Sequence, residues 1–98
     1  MPRRGEHSEV SKHLLKIWLL LRDSGKSFSN NEIASMTGVS PRTARAHTRY
    51  LCDLGLLDVY ETFPGHLYRL SDAAENRNQG AYQRLNDIAD LLQSRIDG

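Results

Sequence analysis

The 98-residue chain holds one cysteine and one tryptophan, and it has no uninterrupted apolar run of membrane length. A single thiol, Cys52, excludes an internal disulfide and fits a reducing compartment. The longest apolar stretch, Leu14 to Leu21, contains Lys16 and falls far short of the ~20 residues that a membrane span needs. It also lacks the small-residue cleavage site that follows the apolar part of a signal peptide. A soluble, cytoplasmic protein is expected. Chemistry is scarce as well. His7, His13, His47 and His66 are scattered, with no H-x-x-x-H, C-x-x-C or H-E-x-x-H spacing for a metal. No glycine-rich phosphate loop and no G-x-S-x-G elbow occurs. An enzyme is therefore not expected, nor is a cofactor or a resident metal.

Net charge is only +1, which by itself says nothing of nucleic acid. Its distribution does. Residues 1–50 carry nine Lys and Arg against four Asp and Glu, whereas residues 51–98 carry four against eight. Such asymmetry orients a chain in the field of a phosphate backbone. The length suits one small domain, whose limited burial makes a core shared between subunits a reasonable expectation.

Residues 1–7 read as a flexible basic arm, in which Arg3 and Arg4 are placed to follow a phosphate strand or a minor groove. A helix is predicted from Ser8-Glu9 to Asp23, ended by Ser24-Gly25-Lys26. Leu14, Ile17, Trp18 and Leu21 form its core stripe, while Leu15, Leu19 and Leu20 put apolar surface on other faces. A helix apolar nearly all round must be covered nearly all round, and a second subunit is the natural cover.

Residues 29–55 read as two short helices joined by a tight turn. Ser29-Asn-Asn-Glu32 has capping-box spacing. Ile33 and Ala34, then Met36 or Thr37, supply inward contacts; Gly38 is suited to a left-handed stop, and Val39 to packing between the helices. Ser40-Pro41 is a favourable start for the next helix, 41–54. There Ala44, His47 or Thr48, Leu51 and Leu54 make the buried stripe, and Arg42, Arg45, Ala46 and Arg49 recur at i, i+3, i+4 and i+7 on another face. Three like charges on one face repel on an isolated helix, and a polyanion removes that cost.

The run SNNEIASMTGVSPRTARAHTRYLCDLGLL, followed by VYETFPGHLYRLS, resembles a winged helix-turn-helix DNA-binding domain of the bacterial transcriptional-repressor type. The shared marks are the alanine of the first helix, the glycine four residues later, the V-S-x-R-T start of the recognition helix and the L-x-x-L-G-L-L exit into a hairpin. Together they cover roughly residues 10 to 70. The chain departs from the pattern at Ala44 and at His47 or Thr48, where larger aliphatic residues are common, which predicts a less tightly seated recognition helix.

Leu56 to Thr62 and His66 to Leu70 read as two strands joined by Phe63-Pro64-Gly65, the expected wing. Its tip brings Thr62, His66 and Arg69 toward the sugar-phosphate backbone but lacks the two or three cations of a strong minor-groove wing. Ser71-Asp72 is the expected cap of another helical start, and Gly80 falls within or between helical pieces. From Ala81 onward Tyr82, Leu85, Ile88, Ala89, Leu92 and Ile96 are spaced as a short coiled-coil seam. Too short to stand alone, this helix is expected to pack on the N-terminal helix, on its copy in a second subunit, or on both, and with Leu15 and Leu19 these residues are the expected dimer interface.

The sequence thus predicts a mostly α-helical fold with a small β-hairpin: an arm (1–7), a winged helix-turn-helix domain (8–70) and a C-terminal dimerisation helix (71–98). The expected partner is double-stranded DNA at an inverted-repeat operator, bound by a homodimeric transcriptional regulator, a repressor by type. Arg42, Thr43, Arg45, Ala46 and Arg49 face the major groove in this reading, Ser29, Asn30, Asn31, Ser40 and His66 face phosphates, and Lys26, Arg3 and Arg4 add salt-sensitive affinity. The alternative is an accessory protein of plasmid or phage replication or partition that coats repeated sites. A winged helix that binds only protein leaves the arginine stripe unexplained.

Overall fold

The computed structural model describes residues 11–97, with side chains up to residue 93. The arm with Arg3 and Arg4 and the side chain of Ile96 lie outside the described residues, and the helix expected to begin at Ser8-Glu9 begins instead at Lys12, because Ser11 is extended and caps it.

Helix α1 spans Lys12–Ser24 and is capped by Ser11, whose Oγ accepts the Leu14 N–H at 3.1 Å. Leu14, Leu15, Ile17, Trp18 and Leu21 are all buried, so the helix is enclosed on more than the one face that its stripe required. Its cover comes from its own chain: α2 (Asn30–Thr37), α3 (Pro41–Asp53), the hairpin strand β2 (His66–Leu70) and the last helix, α5 (Gln79–Asp97), all pack against it.

The contact with α5 is specified by polar groups as well as by apolar ones. Trp18 is wholly buried, and its indole N–H donates to Asn86 Oδ1 at 2.9 Å. Arg22 donates to the same oxygen at 3.1 Å and to Asp90 at 3.2 Å, and Tyr82 meets Trp18 edge-on at 5.9 Å between ring centroids. A buried indole N–H left without a partner is costly, so the tryptophan selects the register in which α5 lies along α1. Part of the expected seam is taken up within the subunit. Leu15, Leu85 and Ala89 belong to the core of the subunit itself, and Tyr82 is engaged by Trp18.

Between α1 and α3, the capping box forms as expected: Ser29 Oγ accepts the Glu32 N–H at 3.1 Å, and Glu32 Oε1 accepts the Ser29 N–H at 2.9 Å. Gly38 closes α2 in the left-handed conformation, φ 82°, with its N–H on Ala34 O, and Val39 is buried beyond it. Ile33 and Ala34 are buried, and of Met36 and Thr37 it is Thr37 that is half-buried, its hydroxyl donating to Ile33 O at 2.7 Å, whereas Met36 is 59% exposed. Helix α3 begins with Ser40 Oγ on the Thr43 N–H at 3.1 Å and Pro41 in the first turn.

Thr48, not His47, completes the buried stripe of α3 with Ala44 and Leu51. It is 1% exposed, and its hydroxyl donates to Asn30 Oδ1 at 2.7 Å. The looser seating expected from a small polar residue is therefore not found, since a hydrogen bond to the first residue of α2 takes the place of aliphatic bulk. His47 is half-buried near His13 of α1; burial chiefly, and the His13 charge secondarily, push its pKa below the usual imidazole value.

After α3, Gly55 turns the chain at φ 83° into strand β1, Leu57–Glu61. It pairs antiparallel with β2, from Leu57 opposite Leu70 to Glu61 opposite His66. Only the base of this hairpin is buried: Leu57 is, whereas Val59 and Tyr60 are exposed. Phe28 adds a short third rung, exchanging backbone hydrogen bonds with Tyr68 at 2.9 and 2.7 Å. Ser71 is buried and takes the Ala73 N–H, so it caps a turn and not a helix; the single helical turn α4, Ala74–Arg77, follows. Asn78 is the residue that starts α5. Its Oδ1 accepts the Ala81 N–H at 3.2 Å while its Nδ2 donates to Leu54 O at 3.1 Å, fastening α5 to the end of α3. Gly80 lies inside α5, not between helices.

Two outcomes follow from this packing. Asn86→Ala strands the Trp18 N–H and is expected to lower stability by about 1–3 kcal/mol, read as a shifted urea midpoint with an unchanged slope; an unmoved midpoint would show that the indole does not need this partner. For His47, a folded-state pKa below the unfolded value means that the unfolded chain gains the proton first as pH falls. Stability should then be complete above the ordinary imidazole value of 6.5 and decline as pH drops through it. His47→Gln should flatten that decline, and an identical pH profile for the two proteins would be the contrary result.

Candidate nucleic-acid interface

Arg42, Arg45, Ala46 and Arg49 are all exposed, and the helical period sets them along one ridge of α3. Their surroundings differ from those of other arginines in the chain. Arg22 is held by Asp23 and Asp90, Arg77 by Asp58 at 3.1 Å, and Arg69 by Gly25 O at 3.1 Å with Asp72 at 3.6 Å. Among the described residues, Arg42, Arg45 and Arg49 have no carboxylate within ion-pair distance. The helix thus presents three adjacent cations with no internal counter-charge. Arg69, expected to point from the wing, is engaged at the base of the hairpin instead.

Beside the ridge, the first turn of α2 and the tip of the hairpin approach each other and enclose a cleft of about 450 Å³. Ser29, Asn30, Asn31, Arg45 and His66 line it, with Pro64, Gly65 and Tyr68. Five residues expected from sequence to face DNA, drawn from three separate elements, therefore converge on one concavity. Their freedom differs. Asn31 and His66 are exposed, whereas Asn30 is half-buried and uses its carbonyl oxygen on Thr48, which leaves its amide N–H₂ uncommitted among the described residues. Ser29 and Glu32 close the N-terminus of α2 on themselves, so a carboxylate already sits where an anion is otherwise favoured. Ser40 and Thr43 are joined hydroxyl to hydroxyl at 3.0 Å, at the start of α3. Lys26 lies apart from the cleft, exposed in the turn between α1 and α2.

Sequence reasoning did not find Tyr68. Its role depends on the rung with Phe28, and a single bridging residue leaves no periodic signal. Phe63 was assigned only to the connection, yet it is 97% exposed at the outermost point of the hairpin. The tip is closed by the Thr62 N–H on Gly65 O at 3.0 Å and by the Thr62 hydroxyl on the same oxygen.

Elsewhere the chemistry is quiet. Burial, with the Asp53 charge adding to it, pushes the Cys52 thiol up, so the reactive thiolate is disfavoured. Among the described residues no cluster of three or more His, Cys, Asp or Glu is placed to hold a metal ion, and no helix is long and apolar enough to cross a membrane.

No protein-family model matches this sequence, and no curated protein sequence does. Solved structures do match in shape. The ST1889 protein of the archaeon Sulfolobus tokodaii superimposes with a TM-score of 0.63 at 19% identity, over 88% of this chain and 83% of that one. BpsR of Bordetella bronchiseptica, whose DNA binding is regulated by 6-hydroxynicotinic acid, gives 0.57 at 21% identity over 84% of this chain and 62% of its own. MepR, a transcription regulator of the Staphylococcus aureus multidrug efflux pump MepA, gives 0.55 at 14% identity over 88% and 65%. The chain spans less than two thirds of the length of the last two. With two short helices set by a glycine turn, a following hairpin and flanking helices on the core, the chain has the winged helix-turn-helix fold.

Proposed function

We propose that this protein is a sequence-specific, double-stranded-DNA-binding transcriptional regulator that acts as a homodimer. The observation that carries the proposal is the exposed ridge of Arg42, Arg45 and Arg49, without internal counter-charge and flanked by the cleft that Arg45 shares with the hairpin tip. α3 has the dimensions to lie in a major groove with this ridge against the bases, where an arginine reads guanine through two hydrogen bonds and Ala46 suits a thymine methyl. Thr43, Ser40, Asn31, the Asn30 amide and His66 supply neutral donors for phosphates, which fix register without reading sequence. Lys26 adds charge at the margin. Arg3 and Arg4, outside the described residues, would add salt-sensitive affinity.

A dimer has to use surface that the subunit core leaves over. Leu91 is 65% exposed, and with Leu15 of α1, Ile88 and Leu92 it borders an apolar hollow of about 210 Å³ where α1 and α5 meet. Joining two copies there would set two recognition helices about a dyad, and the operator would be an inverted repeat with half-sites one helical turn, ~34 Å, apart. Footprints at tandem direct repeats would instead favour a replication or partition role.

Selection of bound duplexes from a random pool supplies the site. On that site Arg45→Ala should cost ~1 to 3 kcal/mol and relax preference at one position, whereas Lys26→Ala should weaken every sequence alike and reduce the salt slope by about one. Equal loss on selected and random DNA for Arg45→Ala would deny it a base-reading role. Leu91→Asp, at an exposed position, should yield folded monomers by sedimentation. An unchanged mass would place the interface elsewhere.

A further inference from the structure

The hairpin tip has an unusual chemistry for a nucleic-acid contact. From Val59 to Tyr68 there is no lysine or arginine, and Glu61 is exposed on β1. Charge is therefore not what this wing offers a phosphate. What it offers is Phe63, 97% exposed on a loop that the Thr62 and Gly65 hydrogen bonds hold closed. An aromatic ring so placed forgoes the burial that normally fixes a phenylalanine, and none of the described elements covers it. The neighbours Pro64 and Gly65 line the same cleft as Arg45, so the tip is on the side of the molecule that bears the arginine ridge.

Building on the proposed DNA-binding reading, we infer that Phe63 is an apolar wedge that enters the minor groove next to the half-site read by α3 and partly unstacks one base step. Large apolar side chains act in this way where a protein kinks a duplex, and the kink falls most easily at pyrimidine–purine steps. The wing then contributes specificity through deformability, with no hydrogen bond to a base edge. It also contributes binding that salt scarcely weakens, because no counterion is released by a phenyl ring.

The full chain, bound to its selected duplex, tests this. 2-Aminopurine is substituted at successive positions flanking the half-site, and end-to-end energy transfer reports the bend. The wild-type protein should raise 2-aminopurine fluorescence at one step and bend the duplex by about 20° or more. Phe63→Ala should abolish both and weaken binding about 10- to 100-fold, the scale of one base–aromatic contact, whereas Phe63→Leu should keep much of the bend. The exposed position makes the thermal midpoint insensitive to either change. A selected pool should also carry a TA or CA step at the wing position, lost with Phe63→Ala. If Arg45→Ala weakens binding while Phe63→Ala alters neither bend nor fluorescence, the wedge is overturned and the DNA-binding reading stands. If the wild-type chain binds no duplex, both fall. A Phe63→Ala effect confined to self-association, with DNA geometry unchanged, assigns the ring to a protein contact and rejects the wedge.

Discussion

Everything in this small domain is arranged around one helix that has to be surrounded. α1 buries five large apolar side chains on more than one face, and Trp18 among them carries a polar group that must find a partner. Asn86 meets that need only from a helix running alongside, so α5 is drawn onto α1 and held by the Arg22 and Asp90 contacts at its margin. Leu85 and Ala89 of the apolar seam of α5 thereby become internal. A domain of this size gains much from enclosing its central helix within one subunit, since otherwise the tryptophan alone would leave a large apolar area in water.

The recognition helix is seated by different means. Its inner stripe is short on bulk, with Ala44 and Thr48 where aliphatic residues would give more contact. A buried hydroxyl is favourable only if it is bonded, and the one Thr48 proton goes to Asn30 Oδ1 at 2.7 Å, with Arg45 O a more distant acceptor at 3.1 Å. That choice ties two functions together. The residue whose oxygen docks α3 on α2 also lines the cleft, so a packing interaction fixes the position of a prospective phosphate donor. Small inner residues also let α3 lie close to α2 without displacing the outward ridge.

What was legible in the sequence was what short-range chemistry determines. The Ser29 capping box, the Gly38 stop, the Ser40-Pro41 start and the outward setting of Arg42, Arg45 and Arg49 each depend on residues within about two turns of a helix, which spacing encodes. What spacing left open depended on partners distant in the chain. Leu85 and Ala89 have seam spacing whether α5 meets a copy of itself or α1, and only Trp18 and Asn86, 68 residues apart, decide between the two. Thr48 over His47 turned on Asn30, and Arg69 was claimed by Gly25 O and Asp72, neither of which a strand pattern records. Spacing left Met36 and Thr37 as alternatives, and Thr37 is the half-buried one.

On the proposed reading, the interface divides its work between two chemistries set side by side. The ridge of α3 carries charge, so its grip on DNA falls with ionic strength and its discrimination comes from guanidinium groups on base edges. The tip of the wing, from Val59 to Tyr68, carries no lysine or arginine, and the acidic Glu61 on β1 would oppose any closer electrostatic approach. A tip built in this way gains from touching DNA only if it leaves the phosphates behind and meets something apolar, and in a duplex the apolar surface is the stacked faces of the bases. Exposing such a face requires deformation, whose cost depends on the step deformed. The absence of lysine and arginine from the tip of the wing is then what shifts its contribution from affinity shared by all sequences toward preference among them.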